Sequence, residues 1–320
     1  MANFIKYISA VAASMLLLTV GCEQSNSHTN SETLPHAHRL VFTAQNASNA
    51  FNRVSALIAE CTPRDAGTES GFKAAEWLSA QLKNDKIQTK IDTFDDQTPQ
   101  GVKRFANVIG EKRGGGCDWI VLLSHFDTKS GIDPQFQGAN DSGSSTGLLL
   151  ELASIIQQAE EMPCNFLFGF MDGEECMLTY SENDGLHGSR DFARKLKAQN
   201  TRIRAVILMD MIGDRDLKIT IPHNSTKELK LLALKAAEAV GHREKIGLHN
   251  QDILDDHQPF LDQGYPAINL IDFHFGSRAG FNDYWHTLED SMENISTDSL
   301  YVTGRIVTEM INRLSTNECL

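Results

Sequence analysis

Apolar positions along this chain follow two rhythms. Over 48–60 and 68–84 they recur at helical spacing, in the second stretch at Phe72, Ala75, Trp77, Leu78 and Leu82, which predicts two helices. Residues 87–94 and 105–110 read as strands that pair as an antiparallel edge. Segments 118–124 and 165–171 are nearly continuous apolar runs, as strands covered on both faces must be. Between those two runs, 143–156 reads as an apolar helix. A helix at 188–198, a strand at 205–209, a helix at 228–240, a strand at 267–271 and an amphipathic helix at 295–314 complete the pattern. This alternation predicts an α/β fold of three layers, α/β/α, with a mostly parallel central sheet and one domain over 41–320. No repeat of solenoid or propeller period interrupts it.

The first 22 residues stand apart. Lys6 precedes an apolar stretch that runs to Val20 and ends in Gly21-Cys22, the layout of an export signal. Ser9 and Ser14 break the stretch and make it marginal as a membrane span. A Cys directly after a small residue resembles a bacterial lipobox, although Thr19 stands where Leu is usual. The expectation is a lipoprotein of the cell envelope or periplasm, attached through Cys22; a plain cleaved signal and an uncleaved anchor are the alternatives. Residues 23–40, rich in Ser, Asn and His, read as a polar tether.

Composition narrows the classes. The chain has 320 residues, 41% hydrophobic and 22% charged, which excludes collagen-like, disordered and polytopic membrane classes. Its formal charge of −13 leaves no basic footprint for nucleic acid. Beyond Cys22 an odd set of cysteines remains: Cys61, Cys117, Cys164, Cys176 and Cys319. Cys117 and Cys164 each precede a strand-like run, so they either bond across neighbouring strands or stay reduced. There is no Cys-x-x-Cys spacing to support a zinc ribbon or a thioredoxin motif.

Candidate chemistry gathers where strands finish. The run 118–124 leads into His125-Phe126-Asp127, the run 165–171 into Asp172-Gly173-Glu174-Glu175, and 205–209 into Asp210. Asn140-Asp141-Ser142 precedes the apolar helix, and Trp285-His286-Thr287 stands near the end. Ligands of open α/β sheets bind beyond the carboxyl ends of strands, so these segments should converge. Six acids (Asp127, Asp141, Asp172, Glu174, Glu175 and Asp210) then crowd one cleft, with Lys129 as the basic residue within the motifs. Buried carboxylates need a positive partner, and a divalent cation is the simplest one. Oxygen and imidazole donors together suit Zn²⁺. Singly, each motif has a bland explanation, such as a helix cap, a solvated acid pair or a packed histidine. Their joint placement after strands argues against that set of accidents.

At these residues the chain resembles the M28 metallo-aminopeptidases, and more closely the animal-type glutaminyl-peptide cyclotransferases (glutaminyl cyclases). The similarity covers roughly 60–315 and includes Gln97-Thr98-Pro99, His125-Phe126-Asp127-Thr128-Lys129, Gly138-Ala139-Asn140-Asp141-Ser142, Asp172-Gly173-Glu174-Glu175, Leu186-His187-Gly188-Ser189-Arg190, Asp255-Asp256-His257 and Trp285-His286-Thr287. The resemblance implies a zinc held by Asp141, Glu175 and His286, with Glu174 as general acid/base and Asp210 and Asp255 as hydrogen-bonding carboxylates beside it. Tyr180 and Trp285 fall on aromatic walls of the substrate pocket. The implied reaction converts N-terminal Gln of peptides to pyroglutamate and releases ammonia, with one zinc. As an aminopeptidase the chain would hold a second metal through His125 and Asp210, with Asp141 bridging and Asp127 orienting His125. A non-catalytic envelope binding protein on the same fold is a third possibility, but such a protein should have lost a ligand or the base. The chain departs from the animal pattern at Tyr180, where Trp is typical, and at Asn269, where His is common. The loop 272–284 looks longer than in the animal enzymes, and Ser124 and Thr146 replace a half-cystine pair.

Overall fold

The computed structural model describes residues 39–116 and 118–315. The expected export signal with Cys22, nearly all of the tether, Cys117 and Cys319 lie outside the described residues. Arg39 and Leu40, the last two tether positions, dock on the final helix. Leu40 exchanges backbone bonds with the Asn312 side chain at 2.9 and 3.0 Å, and Arg39 pairs with Glu309. No helix among the described residues is long and apolar enough to cross a membrane.

Two helices open the described chain, α1 (Ala44–Cys61) and α2 (Glu69–Asn84). The first begins one turn earlier than the apolar pattern suggests, because its first turn is polar and held by a cap. Thr43 Oγ1 accepts from Asn46 N–H while Asn46 Oδ1 accepts from Thr43 N–H at 2.9 Å. Such a reciprocal cap contributes about 1 kcal/mol, enough to extend a helix by a polar turn. The hairpin β1 (Gln88–Thr98) and β2 (Gly101–Lys112) also outruns its expected bounds. Its outer half is solvated and polar, so no apolar alternation marks it.

The core follows: β3 (Trp119–His125), α3 (Ser145–Gln158), β4 (Asn165–Met171), α4 (His187–Ala198) and β5 (Ile203–Asp210). Then come β6 (Ile219–Ile221), α5 (Lys227–Ala239), β7 (Ile246–Leu248), α6 (Gln258–Asp262), β8 (Ala267–Ile271) and α7 (Thr297–Ser315). The strands form one sheet in the order β1-β2-β4-β3-β5-β8-β6-β7. The central block β4-β3-β5-β8 is parallel, the β1–β2 edge is antiparallel as expected, and β2 joins β4 antiparallel. The expected mostly parallel α/β/α fold is what the chain adopts. Strands β6 and β7, three residues each, and the five-residue α6 are too short to leave a periodicity.

Why the central strands read as unbroken apolar runs is visible in their alternation. Ile120, Leu122, Phe166, Phe168, Ala205 and Ile207 face the cluster built with α1, α2, α3, α5 and α7. Val121, Leu123, Leu167, Val206 and Leu208 face the opposite cluster, with Phe192 of α4 and Phe260 of α6. With both faces covered, every position must be apolar. The register pairs Trp119 with Asn165, so Cys164 does lie at the start of a strand parallel to β3. Cys61, Cys164 and Cys176 are buried free thiols. Cys117, the other half of the expected alternative, lies outside the described residues.

Candidate active site

Each acid or histidine motif sits where a strand or loop delivers it to the carboxyl edge of the sheet. His125 ends β3, Asp172–Glu175 follow β4, and Asp210 ends β5. Asp141 lies in a single π-helical turn, Ala139–Ser144, ahead of α3, where the sequence pattern suggested a loop. Its own backbone is not helical (φ −103°, ψ 88°), and a cis peptide joins it to Ser142. His286 adopts φ 57° in the loop before α7.

The structure brings Asp141, Glu175 and His286 together: one donor atom from each lies within 4.8 Å of the other two. His286 Nε2 is 2.8 Å from Glu175 Oε1 and 3.4 Å from Asp141 Oδ2. A second trio, His125, Asp141 and Asp210, shares Asp141. There His125 Nε2 is 3.1 Å from Asp141 Oδ1 and 3.2 Å from Asp210 Oδ1. All but His286 are buried, and His286 is nearly so.

The electrostatics are those of a site short of positive charge. Burial pushes the Glu175 carboxyl up to about 7, with the Asp141 charge adding to it. Burial would lower the His286 imidazole, but the Asp141 and Glu175 carboxylates against it carry it up to about 9. Burial likewise raises Glu174, Asp210 and Asp255. Glu175 Oε2 and His125 Nδ1 are buried without a hydrogen-bond partner. Acids that draw a proton onto a neighbouring histidine, beside an orphaned carboxylate oxygen, fit a divalent cation.

Support comes from residues outside the strand-end motifs. Arg64 is fully buried and donates to the carbonyls of Phe126 at 2.8 Å, Gln137 at 2.8 Å and Gly138 at 3.0 Å. It thereby clamps the loop between β3 and Asp141, so Lys129 is not the sole cation near the site. Asp290 accepts the backbone N–H of Asn140 at 2.6 Å and of Asp141 at 3.1 Å. Asn140 in turn accepts from Gly213 N–H at 2.7 Å, tying the turn to the segment after β5. Neither Arg64 nor Asp290 carries a sequence signal, since an isolated Arg or Asp in a loop has no spacing to read.

Asp127 faces both His125 and the glutamate pair. Its oxygens accept the backbone N–H groups of Glu174 and Glu175 at 3.2 and 3.1 Å, while His125 Nδ1 is 3.5 Å away. It holds the glutamate backbone while standing against the histidine ring that it was expected to orient. Asp210 and Asp255 line the pocket with Glu174, Asp210 bonding to His125 and Asp255 accepting from Asn269 Nδ2 at 2.6 Å. Asn269, standing where a histidine is common, keeps a donor on that carboxylate. Lys129 Nζ donates to the Cys176 carbonyl and lies 3.7 Å from Glu175 Oε2. Ser124 Oγ and Thr146 Oγ1 are 3.2 Å apart, hydrogen-bonded where the animal pattern has half-cystines.

A cavity of about 390 Å³ opens onto the glutamates. Tyr180, Trp285, Phe273 and Ile253 supply its walls, and Glu174, Asp210 and Asp255 its polar floor. Trp285 Nε1 donates to Asp141 Oδ2 at 2.8 Å, and its ring stacks on His286 with centroids 3.9 Å apart. Tyr180 donates its hydroxyl to Glu174 at 3.1 Å from each oxygen. Burial and the surrounding carboxylates push the Tyr180 phenol well up, so it stays a donor. Glu174, Asp210, Asp255, Tyr180 and Trp285 line this cavity with Asp141 and Glu175, and His125 and His286 complete the two trios, whereas Asp127 and Asp172 lie outside both, Asp172 accepting Ala106 N–H at 2.8 Å.

Similarity to known proteins identifies the family of the chain. The profile of Peptidase family M28 matches residues 107–311, and the chain belongs to that family. Within it the chain groups with the glutaminyl-peptide cyclotransferases. That of Bothrops jararaca is 30% identical over 256 residues, 68% of this chain and 67% of the relative. That of Drosophila melanogaster is 26% identical over 291 residues, 82% of this chain and 80% of the relative. The crystal structure of an Acidobacteriales bacterium glutaminyl cyclase superposes with a TM-score of 0.79 at 33% identity, covering 84% of this chain and 94% of that one.

Proposed function

We propose that this protein converts N-terminal glutamine of peptides or proteins to pyroglutamate with release of ammonia. The observation that carries the proposal is the placement of Glu174. It lines the pocket beside a three-residue metal set to which it does not itself contribute. Zinc is the cation that best suits Asp141, Glu175 and His286, and when bound it supplies Lewis-acid polarisation of the γ-carboxamide.

The rest follows from the chain's own groups. The substrate α-amine is the nucleophile, so no activated water is needed. As its nitrogen bonds to Cδ, Glu174 accepts a proton from it and passes one to the departing amide nitrogen, which leaves as ammonia. Ring closure to five members is favoured once the side chain is folded back, and the aromatic walls hold that conformer. A cavity of about 390 Å³ is of a size to enclose one glutamine residue, with the peptide continuing to solvent. Residues following the N-terminal Gln are the partner the site would meet. We further propose export to the cell envelope with Cys22 as lipid anchor, resting on the sequence of residues 1–22.

The second trio, His125, Asp141 and Asp210, favours one competing reading, a di-zinc aminopeptidase with Asp141 bridging. One assay separates the two. Ammonia release from a Gln-initiated dipeptide is measured beside hydrolysis of Leu- and Ala-anilides. Ring closure without anilide cleavage supports the cyclase, and the reverse result replaces it with the peptidase. Zinc content adds a second measure, about one per chain for cyclisation and about two for hydrolysis.

A further inference from the structure

Tyr180 does more than line a wall. An aromatic wall needs a ring, whereas a buried phenol hydroxyl needs a partner. The partner here is the proposed acid/base: the hydroxyl stands 3.1 Å from both Oε1 and Oε2 of Glu174. Among the described residues, no other side chain hydrogen-bonds this carboxylate. The backbone of Glu174 is fixed by Asp127, but its side-chain torsions are not.

The segment carrying Tyr180 is built to hold that hydroxyl in place. Burial of apolar groups does not do it, since Leu178 is 75% exposed. Polar ties do. Asp184 accepts the backbone N–H groups of Met177, Leu178 and Thr179 at 2.5, 2.8 and 2.9 Å. Ser181 and Asp184 exchange backbone bonds at 2.9 and 3.3 Å. Arg190, the last residue of the Leu-x-Gly-Ser-Arg motif, donates to the carbonyls of Ser181 at 3.0 Å and of Gly185. Gly185 has φ +81°, and a Cβ there would lie 2.5 and 2.7 Å from Tyr180 Cδ1 and Cε1. Its backbone therefore packs directly on the phenol ring, and no larger residue fits. These ties fix both flanks of Tyr180 and the ring itself.

We propose that Tyr180 is a positioning residue for the reaction, holding the Glu174 carboxylate in the rotamer that exchanges a proton with the substrate amine. This rests on the cyclase reading of the site. A hydroxyl shared between both oxygens aligns the carboxylate plane and leaves a lone pair of each oxygen open toward the substrate. Small misplacement of a reacting group is costly in rate, which is where a positioning contact acts.

The test uses the zinc-loaded full chain and its Tyr180→Phe variant, which keeps the ring and removes the oxygen. Ammonia release from a Gln-initiated dipeptide should show kcat lowered by about tenfold or more with KM within about twofold. Zinc content and melting temperature should be unchanged, and a crystal structure of the variant should show Glu174 in a different rotamer. The inference is overturned if kcat is kept, if only KM rises, or if Glu174 holds its place without the hydroxyl. Should the wild-type chain release no ammonia at all, the cyclase reading fails and takes this inference with it. Should the wild type release ammonia and the variant match it, this inference alone fails.

Discussion

Trp285 donates its indole N–H to Asp141 at 2.8 Å, on the carboxylate oxygen that also faces His286 at 3.4 Å. A wall of the cavity and a candidate metal ligand are therefore one mechanical unit. Replacing Trp285 with Phe keeps an aromatic wall but frees Asp141 on one side. Loss of such a supporting bond weakens metal binding by about 10–100-fold. Titration with a zinc chelator should show this drop, together with a raised KM for the Gln-dipeptide.

Glu174 and His286 should separate chemistry from metal binding. Glu174→Gln preserves shape and the acceptor for Tyr180 but cannot shuttle a proton. Turnover should fall by about 10²–10⁴-fold while zinc content stays that of the wild type. His286→Ala should lose zinc on dialysis, measured by atomic absorption. Near-normal turnover by zinc-bearing Glu174→Gln would show that the base lies elsewhere.

Arg64 should be a stability residue with a catalytic echo. Its three acceptor carbonyls, of Phe126, Gln137 and Gly138, are in the loop that presents Asp141. Arg64→Met leaves those carbonyls without a donor, at a cost on the order of 3–5 kcal/mol. Urea unfolding should report the loss as a shifted midpoint. Arg64→Lys should recover only part of it, since one ammonium does not reproduce a planar fork.

The pH dependence of stability should carry a signature from His257. Both of its ring nitrogens are buried without partners, and burial lowers the imidazole from 6.5 to about 4. In the folded protein the neutral form is favoured, so between these values the unfolded chain binds the proton and the folded chain does not. Stability from this group is complete above pH 6.5 and is lost as pH falls toward 4, by about 3 kcal/mol in all. His257→Leu, compared with wild type as metal-free proteins, should lose less stability across that window. Parallel stability curves for the two would refute the assignment.

The limits of sequence reading fall on particular residues. The strand-end motifs were legible because a buried acid after an apolar run is costly in every fold, so its cause must be local and chemical. The antiparallel edge, the parallel centre and the final helix were likewise carried by apolar rhythm. Arg64 and Asp290 were not legible, because their partners are backbone carbonyls and N–H groups with no residue-type signature. Nor was the second contact of Asp127, with the Glu174 and Glu175 backbone, since a His-x-Asp spacing points only to the histidine.

What the sequence determined by itself is the inventory: an α/β layer pattern, and acids and histidines at strand ends in numbers that call for a cation. Periodicity and burial costs act through nearest neighbours along the chain, so they are written in it. What only the tertiary structure decided is the pairing. Asp141 faces two histidines at once, Asp127 turns to the glutamate backbone, and Tyr180 reaches Glu174 through a loop pinned by Asp184, Arg190 and Gly185. Those relations depend on how strands register and loops close in three dimensions, and linear spacing does not encode them.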